Sequence, residues 1–243
     1  MYQTDPPSPP KNTLPTMYDL KSEDPQESGL PDEFHIYQPQ LLRETFQPPN
    51  YSADQVFTAS DLNLYYDPRH PQWYKRPDWF AVVGVSRLYE EKDLRLSYVI
   101  WQEGIAPLIA VELLSPTTEK EDLGKTLRDV AQPPTKWEVY EHILRIPYYF
   151  VFDRYTDSLQ AFELTGNRYQ ALEVNDSGVW IEDVEMSLGL WLGTYQGINR
   201  LWLRWRDAVG NWIPTPVEAE SQRVNELEAI LARYREQFGE LDG

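Results

Sequence analysis

A continuous apolar run in the middle of the chain predicts a strand that is buried on both faces. Residues 108–114 read LIAVELL and are followed by Ser115-Pro116. A run of this length without polar alternation is typical of a strand in the interior of a sheet. Glu112 is the one charged residue in it. Burying an unpaired carboxylate costs on the order of several kcal/mol, so Glu112 requires a structural cation, hydrogen bonds or a metal ion beside it.

Other apolar segments predict a sheet around this strand. The candidate strands are residues 56–59, 62–67, 79–85, 96–101 and 148–153. Between the central run and residue 148, Thr135 followed by Glu138 is a capping-box pattern. Apolar residues at helical spacing from Trp137 to Leu144 predict a helix of about three turns. A strand, a helix and a second buried strand form a crossover unit, which predicts that the two strands are parallel neighbours.

The last third of the chain predicts hairpins and one amphipathic helix. Residues 159–164 and 169–174 flank a Gly166-Asn167 turn, and residues 201–205 are predicted to pair with Trp212-Ile213 across Gly210-Asn211. From Val217 to Phe238, apolar residues recur at alternating spacings of three and four, with Glu220 as an interruption. This helix either packs on its own domain or forms a contact with a second copy of the chain.

Composition sets the domain organisation. Residues 1–31 are rich in proline and acidic residues and predict an arm without a core of its own. The 243 residues are enough for one large domain. The prediction is therefore an arm at 1–31, an α/β domain at 32–215 and a C-terminal amphipathic helix at 216–243.

Composition also narrows the class of protein. The chain has no cysteine, no signal-peptide pattern and no apolar window long enough for a membrane span, so we expect a cytoplasmic protein. The formal net charge is −17, which opposes long-range attraction of nucleic acid. A nucleic-acid-binding protein of this composition would need a locally basic cleft.

Two acidic residues are candidates for a metal site. Asp78 follows Pro77 and opens the strand at 79–85, and Glu112 lies in the next buried strand but one. If the strands between them form a meander, the two carboxylates converge. Paired carboxylates suit a hard divalent ion such as Mg²⁺, which activates water and offsets charge on a phosphodiester. A lysine beside them would orient the water and stabilise the charge that develops on phosphorus.

Lys125 and Lys136 are the lysines that compete for this position. Lys125 lies in a weak helical turn and points away from its apolar face. Lys136 lies in the first turn of the capped helix, where a cation opposes the helix dipole at a cost of about 0.3–1 kcal/mol, and it shares a stripe with Tyr140 that faces the sheet. A plain ion pair between Lys136 and Glu112 is an equally good interpretation at this point.

Other chemistries find little support. The three histidines, His35, His70 and His142, have no spacing typical of a zinc site, and cysteine is absent. The sequence contains no GxSxG elbow, no P-loop and no GxGxxG motif.

Several ordered motifs together resemble the bacterial Uma-type restriction-endonuclease family, a branch of the PD-(D/E)XK nuclease superfamily. The motifs are Pro77-Asp78, residues 111–118 (VELLSPTT), Asp122, Lys136 with Tyr140, and residues 147–153 (PYYFVFD). The likeness is good from Trp73 to Tyr155. It implies a restriction-endonuclease-like αβββαβ core with a mixed sheet. It also implies hydrolysis of phosphodiester bonds in nucleic acid with Mg²⁺ or Mn²⁺ as cofactor. DNA is the preferred candidate substrate, although the sequence does not distinguish DNA from RNA.

The resemblance assigns roles residue by residue. Asp78 and Glu112 would be metal ligands, and Lys136 would join them as a catalytic residue. The usual lysine position of the superfamily, two residues after the second acid, is Leu114 here, so the lysine would have moved to the helix. This departure and the net charge leave an alternative: an inactive nuclease-fold binding or assembly protein, including a scaffold that dimerises through the C-terminal helix.

Related superfamilies take a further acid from an N-terminal helix. Asp32, Glu33 and Glu44 are the candidates here, and no pattern separates them. Asp122 is expected to cap its loop rather than to serve the site.

Overall fold

The computed structural model describes residues 32–114, 122–124 and 133–238. The predicted arm at 1–31, residues 115–118 of the family motif and Lys125 lie outside the described residues.

The main sheet has six strands in the order β1-β4-β6-β7-β8-β9. Their bounds are β1 Val56–Ala59, β4 Trp79–Val83, β6 Ile109–Leu113, β7 Tyr148–Asp153, β8 Ser158–Thr165 and β9 Arg168–Leu172. The central pair, β6 and β7, is parallel and the other pairs are antiparallel, so the sheet is mixed. The parallel pair predicted from the strand–helix–strand pattern is confirmed.

Helices cover both faces of the sheet. Helix α1 (Phe34–Thr45) and helix α3 (Lys136–Glu138) lie on opposite sides, and α3 continues into a π-helix at Val139–Ile143. Alternate residues of the central strands point into two separate cores. The core on the α1 side includes Phe34, Leu41, Leu42, Trp79, Val111 and Phe150, and the core on the α3 side includes Phe80, Ala110, Val139, Tyr140, Tyr149 and Val151.

The order α1, β1, β4, β6, α3, β7 is the αβββαβ arrangement that the family resemblance implied. The chain therefore has a mixed α/β fold with a mixed sheet, added hairpins and a C-terminal helix. The π-helix at Val139–Ile143 was not predicted; such local widening is frequent at functional sites.

Two smaller sheets flank the core. One contains β2 (Leu64–Tyr65), β3 (Tyr74–Lys75) and β5 (Tyr98–Val99), and the other contains β10 (Val179–Ile181), β11 (Met186–Tyr195) and β12 (Ile198–Arg206). Short 3₁₀ turns lie at Ala53–Gln55 and Glu182–Val184.

The predicted strand at 96–101 is only partly a strand. β5 has two residues and belongs to a small sheet, and the chain then turns into helix α2 (Ile100–Glu103), which Gly104 ends in the left-handed conformation with φ 75°. Because this segment leaves the main sheet, β4 and β6 are hydrogen-bonded neighbours. Asp78 and Glu112 therefore lie at neighbouring strands, whereas the sequence predicted one strand between them.

The predicted pairing of residues 201–205 with Trp212-Ile213 is present only at its end, where the Ile213 N–H donates to the Trp205 carbonyl at 3.0 Å. β12 pairs with β11 from Ser187↔Arg206 to Tyr195↔Ile198, and the expected partner contributes an isolated bridge between Arg206 and Trp212. The β11–β12 turn has positive φ at Gln196 and Gly197. That turn matches the twist of the flanking strands, so it supports a long hairpin.

Helix α4 (Pro216–Phe238) carries the apolar seam that the sequence predicts. The first turn of the helix is attached to the domain by polar contacts: Arg204 binds Glu218, and Glu218 also accepts the Thr215 N–H. The apolar seam itself does not pack on the described part of the domain. The apolar side chains along the helix are between 43% and 76% exposed; they are Val217, Val224, Leu227, Ile230, Leu231 and Tyr234. Among the described residues, no helix has both the length and the hydrophobicity that a membrane span requires.

Candidate functional site

Asp78 and Glu112 meet where β4 begins and β6 ends. The antiparallel register places Trp79 opposite Val111, so the residue before Trp79 lies beside the residue after Val111. The Asp78 N–H donates to Glu112 Oε2 at 3.4 Å, and the Leu113 N–H donates to Asp78 Oδ2 at 2.6 Å. Each of the two carboxylates thus accepts a hydrogen bond from a main-chain N–H of the other strand.

Helix α3 delivers two donors to the Glu112 carboxylate. Thr135 and Glu138 form the capping box expected from the sequence, which fixes where the helix begins. Lys136 Nζ then lies 2.7 Å from Glu112 Oε2, and the Tyr140 hydroxyl donates to Oε1 at 2.8 Å. Side chains four residues apart share one helix face, so both reach the same carboxylate. Glu112 is fully buried, and both of its oxygens have partners.

Asp122 completes the charge cluster. Its carboxylate is fully buried, Oδ1 lies 3.3 Å from Lys136 Nζ, and its main-chain carbonyl accepts the Tyr149 hydroxyl at 2.9 Å. The sequence favoured a capping role for this residue, whereas the structure places its side chain against the candidate lysine. One ammonium group therefore faces three carboxylates, those of Asp78, Glu112 and Asp122, and the cluster carries excess negative charge.

Burial and crowding shift the pKa values of this cluster. Burial, partly opposed by Lys136 and reinforced by Asp78, raises the pKa of Glu112 to about 7. Burial also raises the pKa of Asp78, although Lys136 and His35 oppose the shift. Burial alone would lower the pKa of Lys136, but the three carboxylates hold it well above its usual range. The lysine is therefore a permanent cation, while Glu112 changes charge near neutral pH.

His35 lies beside the end of β6, and from the sequence it was considered only as a candidate zinc ligand. Its Nδ1 lies 2.9 Å from Asp32 Oδ1, and its Nε2 lies 3.1 Å from the Leu113 carbonyl. Asp32 Oδ2 in turn lies 2.7 Å from the Arg154 guanidinium. The three-residue spacing of Asp32 and His35 at a helix start was visible in the sequence, but the contact with Leu113 spans 78 residues and was not.

The N-terminal acids considered from the sequence bind other groups. Asp32 pairs with His35 and Arg154 as above. Glu33 accepts the Tyr37 hydroxyl, and Glu44 accepts the Gln40 amide and the Tyr195 hydroxyl. None of their hydrogen bonds or ion pairs within the described residues reaches Asp78 or Glu112. The other two histidines are also engaged elsewhere, His70 with Asp67 and His142 with Glu141.

A sequence model of the Uma2 family, described as "Putative restriction endonuclease", matches residues 18–194 of the chain. The chain belongs to the Uma2 family. The match is wider than the Trp73–Tyr155 stretch noted from the sequence and takes in the β8–β9 hairpin and most of β11.

Among solved structures, the chain is similar to one from Anabaena variabilis ATCC 29413, described as "a putative nuclease belonging to DUF820". That chain is 12% identical, with a TM-score of 0.41, and the comparison covers 65% of the present chain and 77% of the other. No curated protein matched the chain.

The metal that the Uma2 resemblance implies can be tested against the donors present. In the described ranges, no cluster of three or more His, Asp or Glu side chains is arranged to hold a metal ion. Mg²⁺, however, commonly binds one or two carboxylates and keeps its waters. Asp78 and Glu112 are two such carboxylates, their pKa values are raised, and the cluster has more carboxylates than cations. These residues fit a hard divalent cation.

The raised pKa of Glu112 predicts that stability depends on pH. The usual value is 4.5 and the folded value is about 7, so the folded state binds an extra proton between these pH values. We expect the free energy of unfolding to fall on the order of 3 kcal/mol as pH rises through this window without divalent metal. Urea unfolding at pH 5, 6, 7 and 8 measures it.

The matched variants are Glu112→Gln, which removes the titration, and Glu173→Gln, the same change at an exposed position. The profile should flatten in Glu112→Gln and keep its slope in Glu173→Gln. Equal slopes in all three proteins would show that Glu112 does not titrate in this range.

Proposed function

We propose that the chain is an endonuclease that hydrolyses phosphodiester bonds of nucleic acid, DNA rather than RNA, with Mg²⁺ or Mn²⁺ as cofactor. Asp78 and Glu112 are the proposed metal ligands, and Lys136 is the proposed catalytic cation. The observation that supports this most directly is the 2.7 Å contact from Lys136 Nζ to Glu112, beside Asp78. Leu114, at the usual lysine position, is buried in the α3-side core, and α3 supplies a lysine instead.

Each residue has a role that its contacts support. A divalent ion, when bound, lowers the pKa of a water and offsets charge on the phosphate. Lys136 retains its proton because three carboxylates surround it, so it acts as a fixed positive charge rather than as a base. Tyr140 holds one Glu112 oxygen and so fixes the orientation of that carboxylate. Asp122 holds the lysine from the opposite side.

Removing any of the three charges should abolish turnover. We expect Asp78→Asn, Glu112→Gln and Lys136→Met each to reduce metal-dependent nicking at least about 100-fold, a typical loss for a group that stabilises transition-state charge. The measurement is nicking of supercoiled plasmid in Mg²⁺ or Mn²⁺, with EDTA as the metal-free control. Glu173→Gln should retain wild-type activity. Undiminished activity in both acid variants would reject the assignment.

Metal binding separates the enzyme from an inactive nuclease-fold binding protein. Two carboxylates that gain a divalent cation release the protons that burial retains, so calorimetric titration of the wild type at pH 6.5 should show heat that depends on buffer ionisation. The heat should disappear in Glu112→Gln and persist in Glu173→Gln. A wild type without Glu112-dependent heat would favour the inactive binding or assembly protein.

We also propose that α4 forms a homodimer contact. Its 23 residues present an exposed apolar seam, with Val217, Val224 and Leu231 at one heptad position and Leu227 and Tyr234 at the other. In a parallel pair of helices, the residue at g lies near the residue at e of the next heptad on the other helix. This register places Arg223 opposite Glu228 of a second copy, a favourable charge pair.

A charge within this seam should separate the copies. We expect Leu231→Glu to halve the mass measured by light scattering, because the substitution places a carboxylate at the centre of the contact. Ala229→Glu makes a similar change on the opposite side of the helix and should leave the dimer intact. A monomeric wild type, or a dimer that Leu231→Glu does not weaken, would refute this contact.

A further inference from the structure

The two ring nitrogens of His35 both face groups that can only accept a hydrogen bond. Nδ1 lies 2.9 Å from the Asp32 carboxylate, and Nε2 lies 3.1 Å from the Leu113 carbonyl. A neutral imidazole has one N–H and could satisfy only one of them. Both bonds therefore require the doubly protonated imidazolium, in a side chain that is almost completely buried.

The charge of this buried imidazolium is balanced from the N-terminal side. Asp32 accepts from the His35 ring and from the His35 main-chain N–H, and its second oxygen lies 2.7 Å from Arg154. Arg154 follows the end of β7 and lies over the Phe34 ring, 5.6 Å from its centroid. The network thus ties the first turn of α1 to the ends of β6 and β7, the two central strands.

Leu113 is held on both sides by this arrangement. Its N–H donates to Asp78 Oδ2 at 2.6 Å, and its carbonyl accepts from His35. The next N–H, that of Leu114, donates to the Phe152 carbonyl at 2.8 Å. The main chain that directly follows Glu112 is therefore fixed by one neighbouring strand, one site acid and one histidine from a distant helix.

We propose that His35, held by Asp32 and Arg154, is a positioning residue of the candidate active site. Its ring nitrogens bind the Asp32 carboxylate and the Leu113 carbonyl rather than the carboxylates of Asp78 and Glu112. It fixes the main chain at Leu113 and, through that residue, the placement of Asp78 and Glu112. The positive charge of His35 also favours the ionised form of the Asp78 carboxyl, which partly opposes the rise in the pKa of that group that burial causes. This inference rests on the proposed function.

The chain offers a matched control on the same helix. Gln38 lies one turn after His35, is fully buried and also binds a strand main chain, donating to the Leu203 carbonyl at 2.9 Å and accepting the Leu203 N–H at 2.8 Å. Gln38→Leu removes buried hydrogen bonds from α1 without touching β6. It separates a loss of helix docking from a loss at Leu113.

The kinetic test compares His35→Leu, His35→Gln and Gln38→Leu in plasmid nicking. We expect His35→Leu to reduce kcat about 10- to 100-fold with little change in KM, the loss typical of residues that orient metal ligands. His35→Gln should recover part of kcat because its amide can still donate to the Leu113 carbonyl. Gln38→Leu should lower Tm but keep kcat. Wild-type kcat in His35→Leu, or an equal loss in Gln38→Leu, would overturn the positioning role.

A spectroscopic test is independent of turnover. In the wild type at pH 7, ¹⁵N NMR should show both His35 ring nitrogens protonated, and His35→Leu should shift the Leu113 and Asp78 amide resonances more than Gln38→Leu does. A neutral ring, or equal shifts in the two variants, would refute the inference. If the wild type shows no metal-dependent nicking while these spectral results hold, the proposed function fails and the positioning of Asp78 by His35 stands.

Discussion

The structure depends on a carboxylate in the middle of a fully buried strand. Glu112 lies on β6, where its neighbours on both faces are core residues. A carboxylate there is tolerated only if its oxygens are bound, and both are, by Lys136 and Tyr140. This requirement explains why the Lys136 and Tyr140 side chains both point inward, to the same carboxylate.

The cluster around Glu112 differs from a simple buried ion pair. A simple pair would match one carboxylate with one ammonium group. Here the carboxylates of Asp78 and Asp122 also act on the Lys136 ammonium, in addition to that of Glu112. The result is a buried site whose acids have raised pKa values and whose lysine stays charged. Such an arrangement costs stability unless a further cation joins it. Perturbed carboxylates beside a fixed cation are frequent at functional sites, and this cluster is the part of the molecule on which the proposed nuclease function rests.

The two faces of the sheet contribute to the site in different ways. The α3 face supplies the lysine and tyrosine that bind Glu112 directly. The α1 face supplies His35, which binds the main chain one residue later. The end of β6 is consequently held from both faces, and the start of β4 is attached to it through Asp78. Rigid placement of this kind suits chemistry that requires two carboxylates in a fixed relation.

The sequence by itself determined the buried strand, the need of Glu112 for a partner, the capping box that starts α3 and the parallel pairing of β6 with β7. These follow from local rules: apolar runs, the helical period and the hydrogen bonds of helix ends. Only the tertiary structure decided that β5 leaves the main sheet, that β11 is the main partner of β12, and that His35 binds Leu113. Asp122 beside Lys136 belongs to the same group. These contacts join residues far apart in the chain, and their free energy depends on which surfaces meet when the sheet closes, which no local pattern encodes.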